Sequence, residues 1–496
     1  MGRSYAIIDL FAGPGGLGEG FSRAGQEPAT PMSVRVSVEM DDHAISTLRL
    51  RSFLRSFDGG FPQEYYDALN TGRDLPRWDE LHPTAWRRAC DEARQLVLGQ
   101  EGVFEELAPI LDQAREGMHG DTILIGGPPC QAYSLAGRSR NLGKEGYILE
   151  EDGRHYLYKE YVRILTRLRP AAFVMENVKG MLSSRVDGGG IFDRVLDDLE
   201  AAADGYRLLP LAVAADPAAG RNSARDFIVR AEDHGIPQAR HRVIVVGLRA
   251  DLARGLPEGR PMLLPSETVT VAEALSGLPP LRSALSTGDS VMNWQAVVRD
   301  RAASIANLSF LPDSVRSVAR AVAETAGLPE HRSSSIPTND RPPSPLSDWL
   351  LDPRLAIVLH HETRGHIADD LGRYLFSSAF ALAEDRAPKL SEFPYWLLPD
   401  HRNRDTGAFA DRFRTQVGGR VATTVTSHIS KDGHYFIHPD PYQCRSLTVR
   451  EAARLQTFPD NYFFCGPRTK QYHQVGNAVP PFLALQIARA VRTLLP

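Results

Sequence analysis

One cysteine in this chain stands where it can do chemistry. Cys130 lies in Gly126-Gly127-Pro128-Pro129-Cys130-Gln131, directly after the apolar run Thr122-Ile123-Leu124-Ile125. Paired prolines fix φ at successive residues and remove two amide donors, which stiffens the backbone ahead of the sulfur. A thiol at the carboxyl end of a sheet strand sits where open α/β sheets place their ligands, and as a thiolate it is a nucleophile. The same segment also reads as a proline-rich turn around a buried thiol, so partners elsewhere must decide. Glu176 closes the apolar run Phe173-Val174-Met175 and is expected at the same sheet edge. Partial desolvation there would let its carboxyl hold or share a proton near neutral pH; taken alone, a solvated strand end is the simpler account. In Pro237-Gln238-Ala239-Arg240-His241-Arg242, period-two alternation puts Gln238, Arg240 and Arg242 on one face. Two guanidinium forks there suit a phosphate or a polar base edge, and a solvated strand entry is the alternative.

Two further segments suggest a nucleotide-like ligand. Asp9-Leu10-Phe11-Ala12-Gly13-Pro14-Gly15-Gly16-Leu17-Gly18 ends a strand and opens a helix, and Gly13-x-Gly15-x-x-Gly18 matches the dinucleotide fingerprint. Glycines let backbone approach a ligand, the helix amino terminus favours negative charge, and Glu39 stands at the spacing of a ribose-binding acid. This points to an adenosine-type cofactor without choosing among them. Gln474-Val475-Gly476-Asn477-Ala478-Val479-Pro480-Pro481 makes a tight entry to a closing helix. His360-His361-Glu362-Thr363-Arg364-Gly365-His366 lacks His-Glu-x-x-His spacing, so a polar contact surface is expected there rather than a metal.

The elements that must position these residues alternate. Strand patterns at Tyr5–Leu10, Val34–Glu39, Thr122–Ile125, Ala172–Met175 and Arg242–Leu248, with helices between several of them, predict an α/β fold with a doubly wound parallel sheet. Residues 55–118 read as a helical interlude, with helices over Trp86–Gln100 and Phe104–Glu116. From about 255 the texture turns rich in Pro, Ser and Arg, with Ser333–Pro345 an irregular connector and strand-and-turn patterns at Gly418–Thr426 and Lys431–Phe436. Helix resumes after 443, where Thr448-Val449-Arg450-Glu451 is a capping box. The expected organisation is a catalytic unit over 1–254, an insert over 255–443 and a returning segment over 444–496.

With 496 residues and 42% hydrophobic content the chain can bury a large core. Cys90, Cys130, Cys444 and Cys465 lack paired spacing, which disfavours a zinc site or disulfide framework and suits a reducing cytoplasm. No signal or membrane-spanning stretch is evident. A net charge of −4 excludes a generally basic nucleic-acid coat, so any such binding must come from local patches.

In order and content these motifs resemble the DNA cytosine-5 methyltransferases. Asp9–Gly16 looks like that family's first motif and Gly127-Pro128-Pro129-Cys130-Gln131 like its nucleophile loop; Glu176-Asn177-Val178 and Gln238-x-Arg240-x-Arg242 are similar to two more. Arg450–Gln456, Gln474–Pro481 and Asp152-x-Arg154-x-x-Leu157 fit others. The chain departs from the pattern in lacking a legible Gly-Asp-Ile-like segment, whose acid binds the cofactor's adenine amine; Asp74, near Gly72, is the one candidate.

The resemblance implies a Rossmann-like S-adenosylmethionine-dependent methyltransferase sheet with a smaller inserted target-recognition domain, and no metal. Cys130 would add to C6 of a flipped-out cytosine, Glu176 would serve N3 and the exocyclic amine, and Arg242, supported by Arg240, would face O2. C5 would then take the methyl group, and loss of its proton and of Cys130 would restore the ring, leaving S-adenosylhomocysteine. Asp9, Phe11, Ala12, Gly13, Gly15, Gly16, Glu39, Met40, Pro129, Leu157, Asn477 and Val479 are the implied cofactor residues. Gln131, Ser134, Arg138, Arg140, Gln238, Arg402, Arg404 and Arg414, with Arg412 and Arg420 nearby, are the implied contacts to double-stranded DNA. A monomer serving a restriction or phage-defence system is the expected setting. A tRNA cytosine methyltransferase or a catalytically silent DNA-binding relative are the alternatives; the large insert favours duplex DNA, and the presence of Cys130, Glu176 and both arginines favours chemistry.

Overall fold

The structure is a computed structural model that describes residues 4–27, 31–116, 121–129, 157–183, 185–186, 189–212, 223–253, 262–336, 344–399 and 412–496. The first half runs β1 (Tyr5–Leu10), α1 (Gly16–Gly25), β2 (Met32–Glu39), α2 (Asp42–Arg55), α3 (Gln63–Asn70), α4 (Pro83–Glu92), β3 (Ala93–Gln95), α5 (Val103–Glu116) and β4 (Thr122–Gly126). It continues with α6 (Leu157–Leu168), β5 (Ala172–Val178), α7 (Ile191–Glu200), β6 (Tyr206–Leu209), β7 (Ile228–Arg230), β8 (Gln238–Ala239) and β9 (His241–Arg249).

All of these strands but β8 form one sheet in the order β3-β2-β1-β4-β5-β9-β6, with β7 paired on β9. The first five are parallel, whereas β9 runs antiparallel to β5 and β6 and β7 antiparallel to β9. The parallel expectation therefore fails at the strand over Arg242–Leu248. β1 and β4 are buried throughout, as continuous apolar strands covered on both faces must be. One face is closed by Phe21 of α1 and by Leu483 and Ile487, and the other by Leu107, Tyr161 and Leu196. Strand order reverses between β1 and β4, and open α/β sheets bind ligands at the carboxyl end of such a switch point.

The helix expected over Trp86–Gln100 stops at Glu92, and Ala93–Gln95 turns extended. β3 pairs in parallel with the carboxyl end of β2, Glu39 opposite Gln95. Pairing satisfies the open backbone edge of β2, which outweighs a helix pattern.

The insert packs α8 (Val291–Ala306), α9 (Asp313–Glu324) and α10 (Ala368–Glu384) around Trp294, Tyr374 and Phe376. The strands expected near its end reduce to β10 (Ala422–Thr423), which pairs in parallel with β8; Lys431–Phe436 holds turns. The chain then returns through α11 (Val449–Leu455), α12 (Arg468–Asn477) and α13 (Pro481–Leu494). Among the described residues no helix is long and apolar enough to cross a membrane.

The seam between insert and sheet domain is polar and buried. Thr448 caps α11 reciprocally with Glu451, and both Glu451 oxygens accept from the Arg445 guanidinium at 2.7 and 2.6 Å. Arg450 donates to the carbonyls of Leu359, Pro459 and Tyr462. The histidine cluster belongs to this seam and not to a polar surface. His360 Nε2 accepts from the Phe464 amide, His361 bonds Thr448 and Pro279, and His366 bonds Tyr374. Removing one partner of a buried ion pair strands the other charge, so Glu451→Ala is expected to cost about 3–5 kcal/mol in urea unfolding. A loss below about 1 kcal/mol, the range of a surface pair, would contradict this role.

Candidate active site

The carboxyl end of the sheet gathers the chemistry-bearing residues. β5 delivers Glu176, and β9, running the opposite way, delivers Arg242, their strands in register through Ile244 opposite Glu176. Arg242 Nε lies 2.9 Å from Glu176 Oε1, with the two side chains only 14% and 13% exposed. Burial pulls the Arg242 guanidinium below its usual range, and the Glu176 carboxylate opposes that. The next residue along β5, Asn177, donates from Nδ2 to the Pro128 carbonyl at 3.1 Å. That bond anchors the turn leading into Cys130. Asn177→Ala is expected to lower the turnover of chemistry at Cys130 about tenfold or more by freeing this turn, with folding measured separately; an unchanged turnover would sink the anchoring role.

Arg240 and Gln238 lie elsewhere. The Arg240 amide bonds back to the Gln238 carbonyl at 2.9 Å, so the chain bends between β8 and β9 and the expected single face does not form. Gln238 is fully buried, donating to the Leu455 carbonyl and Gln456 Oε1 and accepting from the Val425 amide. It has no surface to offer DNA. Arg240 is buried and donates to the carbonyls of Val425 and Ala478 at 2.8 Å. Burial holds its charge well below the usual arginine range, and Arg242 adds to this. It fastens the segment before α13 to the segment holding β10 and does not reach Glu176.

The glycine loop lies at the end of β1. Gly13 adopts φ +57°, and a β-carbon there would meet nothing within 4 Å, whereas one on Gly16 would lie 2.2 Å from the Val479 carbonyl. Gly16 thus lets the last motif close onto the loop, and Gly13 leaves open space beside it. Glu39 spans the mouth: its carboxylate accepts from the amides of Gly13 at 2.7 Å and Met40 at 2.8 Å. Met40 follows with 64% of its surface exposed, as an apolar platform for a planar group requires. Gln95 stands across from Glu39 on β3. Leu157 opens α6, and Asn477 is an exposed end of α12. The open cradle, the acid and the platform fit a nucleoside cofactor.

Asp9 does not line that cradle. It is fully buried beneath α1, and burial pushes its pKa up to about 8. Asp74 is exposed in the loop after α3, outside the strand beside β2. Sequence reading missed Gln95 because it missed β3. Cys130, Gln131, Ser134, Arg138, Arg140, Arg402 and Arg404 lie outside the described residues.

Beside the catalytic edge lies a second feature, a cleft of about 820 Å³ whose walls include Ala239, Arg412, Arg414, His428, Lys431 and Tyr435. Thr424 stitches one wall to the Ala239 carbonyl at 2.5 Å. Arg412 pairs with Asp432 at 3.3 Å, and Arg420 with Asp385 outside the cleft. Lys431 and Thr424 carried no signal in the sequence, since only folding sets them across from β8.

The family described as C-5 cytosine-specific DNA methylase matches residues 112–288 and 361–493. The Bacillus paralicheniformis protein named type II methyltransferase M.Bpa9945I is 31% identical, over 99% of each chain. Type II methyltransferase M.AgeI of Thalassovita gelatinovora is 27% identical over 98% of this chain and 99% of its own. In fold, the chain is similar to an E. coli crystal structure described as a DNA modification methyltransferase encoded within a prophage, with a TM-score of 0.56 and 21% identity over 99% of each chain. The chain belongs to the C-5 cytosine-specific DNA methylase family.

Proposed function

We propose that this DNA cytosine-5 methyltransferase works through Cys130, Glu176 and Arg242 on a cytosine turned out of duplex DNA. The observation that carries the assignment is the largely buried Glu176–Arg242 pair beside the Asn177-anchored turn. C5 of cytosine is a poor nucleophile, and a bond from the Cys130 sulfur to C6 moves the ring electron pair onto C5. Glu176 bridges N3 and the exocyclic amine and holds the proton that N3 takes up as the sulfur adds. Arg242 donates to O2, and it also balances the Glu176 charge before the base arrives. After C5 gains a methyl group it loses its proton to a base, the C5–C6 double bond reforms, and the electron pair of the C6–S bond returns to sulfur.

The family uses S-adenosylmethionine, which when bound supplies the methyl group. Glu39, Met40, Gln95, Leu157 and the backbone of the Gly13 loop are the residues that would hold it, with Asn477 and Val479 closing from the last motif. Phe11, Ala12, Gly15, Gly16 and Pro129 shape the same end of the sheet.

We place the DNA against the cleft of Arg412, Arg414 and Lys431, with the recognition unit over 255–443; Gln131, Ser134, Arg138 and Arg140 are proposed as further DNA contacts. Arg402 and Arg404 are proposed as contacts of the same kind. Lys431→Ala is expected to weaken DNA binding uniformly across sequences and to reduce the slope of log affinity against log salt by about 1. Fluorescence anisotropy over a salt series measures this, and an unchanged slope would remove Lys431 from the interface. The type II names of the relatives support a modification role beside a restriction nuclease, tested by challenging DNA methylated in the cell with a panel of such nucleases.

A further inference from the structure

We infer that the Arg412–Asp432 pair reads one G·C base pair of the recognised duplex, with Asp432 as a specificity-determining residue; this rests on the placement of DNA in the cleft proposed above. Among the described residues that line the cleft, Asp432 is the one carboxylate, beside Arg412, Arg414 and Lys431. A negative charge there repels phosphates and lowers sequence-independent affinity for DNA. Stability does not call for it either: the Arg412 and Asp432 side chains are 27% and 43% exposed, and ion pairs so exposed add little.

The turn that carries Asp432 is held on several sides. The Arg364 guanidinium lies over the Tyr472 ring at 4.5 Å and donates to the carbonyls of Ile429 and Lys431 at 2.9 and 3.0 Å. The His434 amide donates to Asp432 Oδ1 at 3.0 Å, and Nδ1 of the His434 ring bonds the Tyr374 hydroxyl at 2.7 Å. Arg412 Nη2 donates to Asp432 Oδ2 at 3.3 Å, so a fixed acceptor stands beside a fork of donors. A guanidinium has five N–H groups and a carboxylate about four lone-pair sites, so both keep capacity for a base edge. In the major groove a G·C pair presents two acceptors, N7 and O6 of guanine, and then one donor, N4 of cytosine. Two donors from Arg412 and one acceptor from Asp432 match that order. An A·T pair presents acceptor, donor, acceptor, which sets a donor of Arg412 against adenine N6 and Asp432 against thymine O4. Arg414 and Lys431 therefore serve affinity, and Asp432 serves choice.

The test uses the full chain and short duplexes carrying the sequence context that it methylates in cells, with each G·C pair replaced in turn by A·T. Affinities across this panel are read by fluorescence anisotropy, which needs no turnover. The intact protein is expected to lose about 5- to 150-fold at the position that the pair reads. Asp432→Asn keeps the bond from the His434 amide through its oxygen and turns an NH₂ outward, where cytosine N4 also donates. It should abolish the preference at that one position and leave the others in place. Arg412→Ala should relax the same position, and the double variant should relax it no further than the single ones. Asp432 is exposed enough that its variant is expected to fold, as circular dichroism against the intact chain checks. An unchanged panel for Asp432→Asn, or a loss spread evenly over all positions, overturns the inference and leaves the DNA placement standing. Failure of the intact protein to bind any duplex overturns both.

Discussion

Glu176→Gln is expected to lower the methyl-transfer kcat by about 10²–10⁴-fold, with S-adenosylhomocysteine binding unchanged. The amide keeps the shape and one acceptor for Arg242, but it cannot pass a proton to N3. Arg242→Ala should lower kcat through a different loss, the donor to O2, and it strands Glu176 without the partner 2.9 Å away. Because the two side chains act on one ring and on each other, the double variant should fall well short of the sum of the single losses. Single-turnover rates at saturating DNA separate these effects from weakened binding. A Glu176→Gln enzyme with a near-normal single-turnover rate would contradict the proton-holding role.

Acid should unfold this protein earlier than its carboxylates alone would. Burial holds His360 and His366 down at about 3 and His361 and His438 at about 4. Their ordinary value is near 6.5. The folded chain therefore keeps these rings neutral, while the unfolded chain takes up protons as pH falls through about 6.5. Stability is full above that value and falls between about pH 6.5 and 4, at up to roughly 1.4 kcal/mol per pH unit for each ring. Glu451 has the same sign further down: burial raises its carboxyl, but the charge and hydrogen bonds of Arg445 together with the neighbouring His438 and His361 bring it below the usual range, so its contribution is lost below about pH 4. A urea midpoint that drops steeply from pH 7 to pH 5 is the expected result. A flat profile over that interval would mean that the rings titrate alike folded and unfolded. The histidines gather where the insert joins α11, so the recognition surface should be the first part to loosen.

Much of this was legible in the residues, and the failures have physical causes. β1, β4 and β5 were readable because strands buried on both faces must be continuous apolar runs, and the Thr448–Glu451 cap because its chemistry is local. β3 was not, since three residues following an amphipathic helix carry no period of their own and are extended only because β2 offers a partner. Gln238 and Arg240 were given a ligand-facing role because alternation assumed an unbroken strand. The bend at Arg240 turns both inward, where groups from distant segments bind them. The histidine cluster looked polar for a related reason: its partners, Phe464, Thr448 and Tyr374, lie far along the chain. At the site, the resemblance implied that Glu176 and Arg242 serve one base, whereas their ion pair, Gln95 and the cleft of Arg414 and Lys431 depend on contacts that only the fold creates.

The central claim is that this chain methylates cytosine at C5 through Cys130. Its most direct test is expression in a host free of DNA methylation, followed by bisulfite sequencing of the genome. The intact chain should leave 5-methylcytosine at one recurring sequence context, and Cys130→Ala should leave none. Unmodified DNA from cells whose purified protein is folded and binds S-adenosylhomocysteine would contradict it.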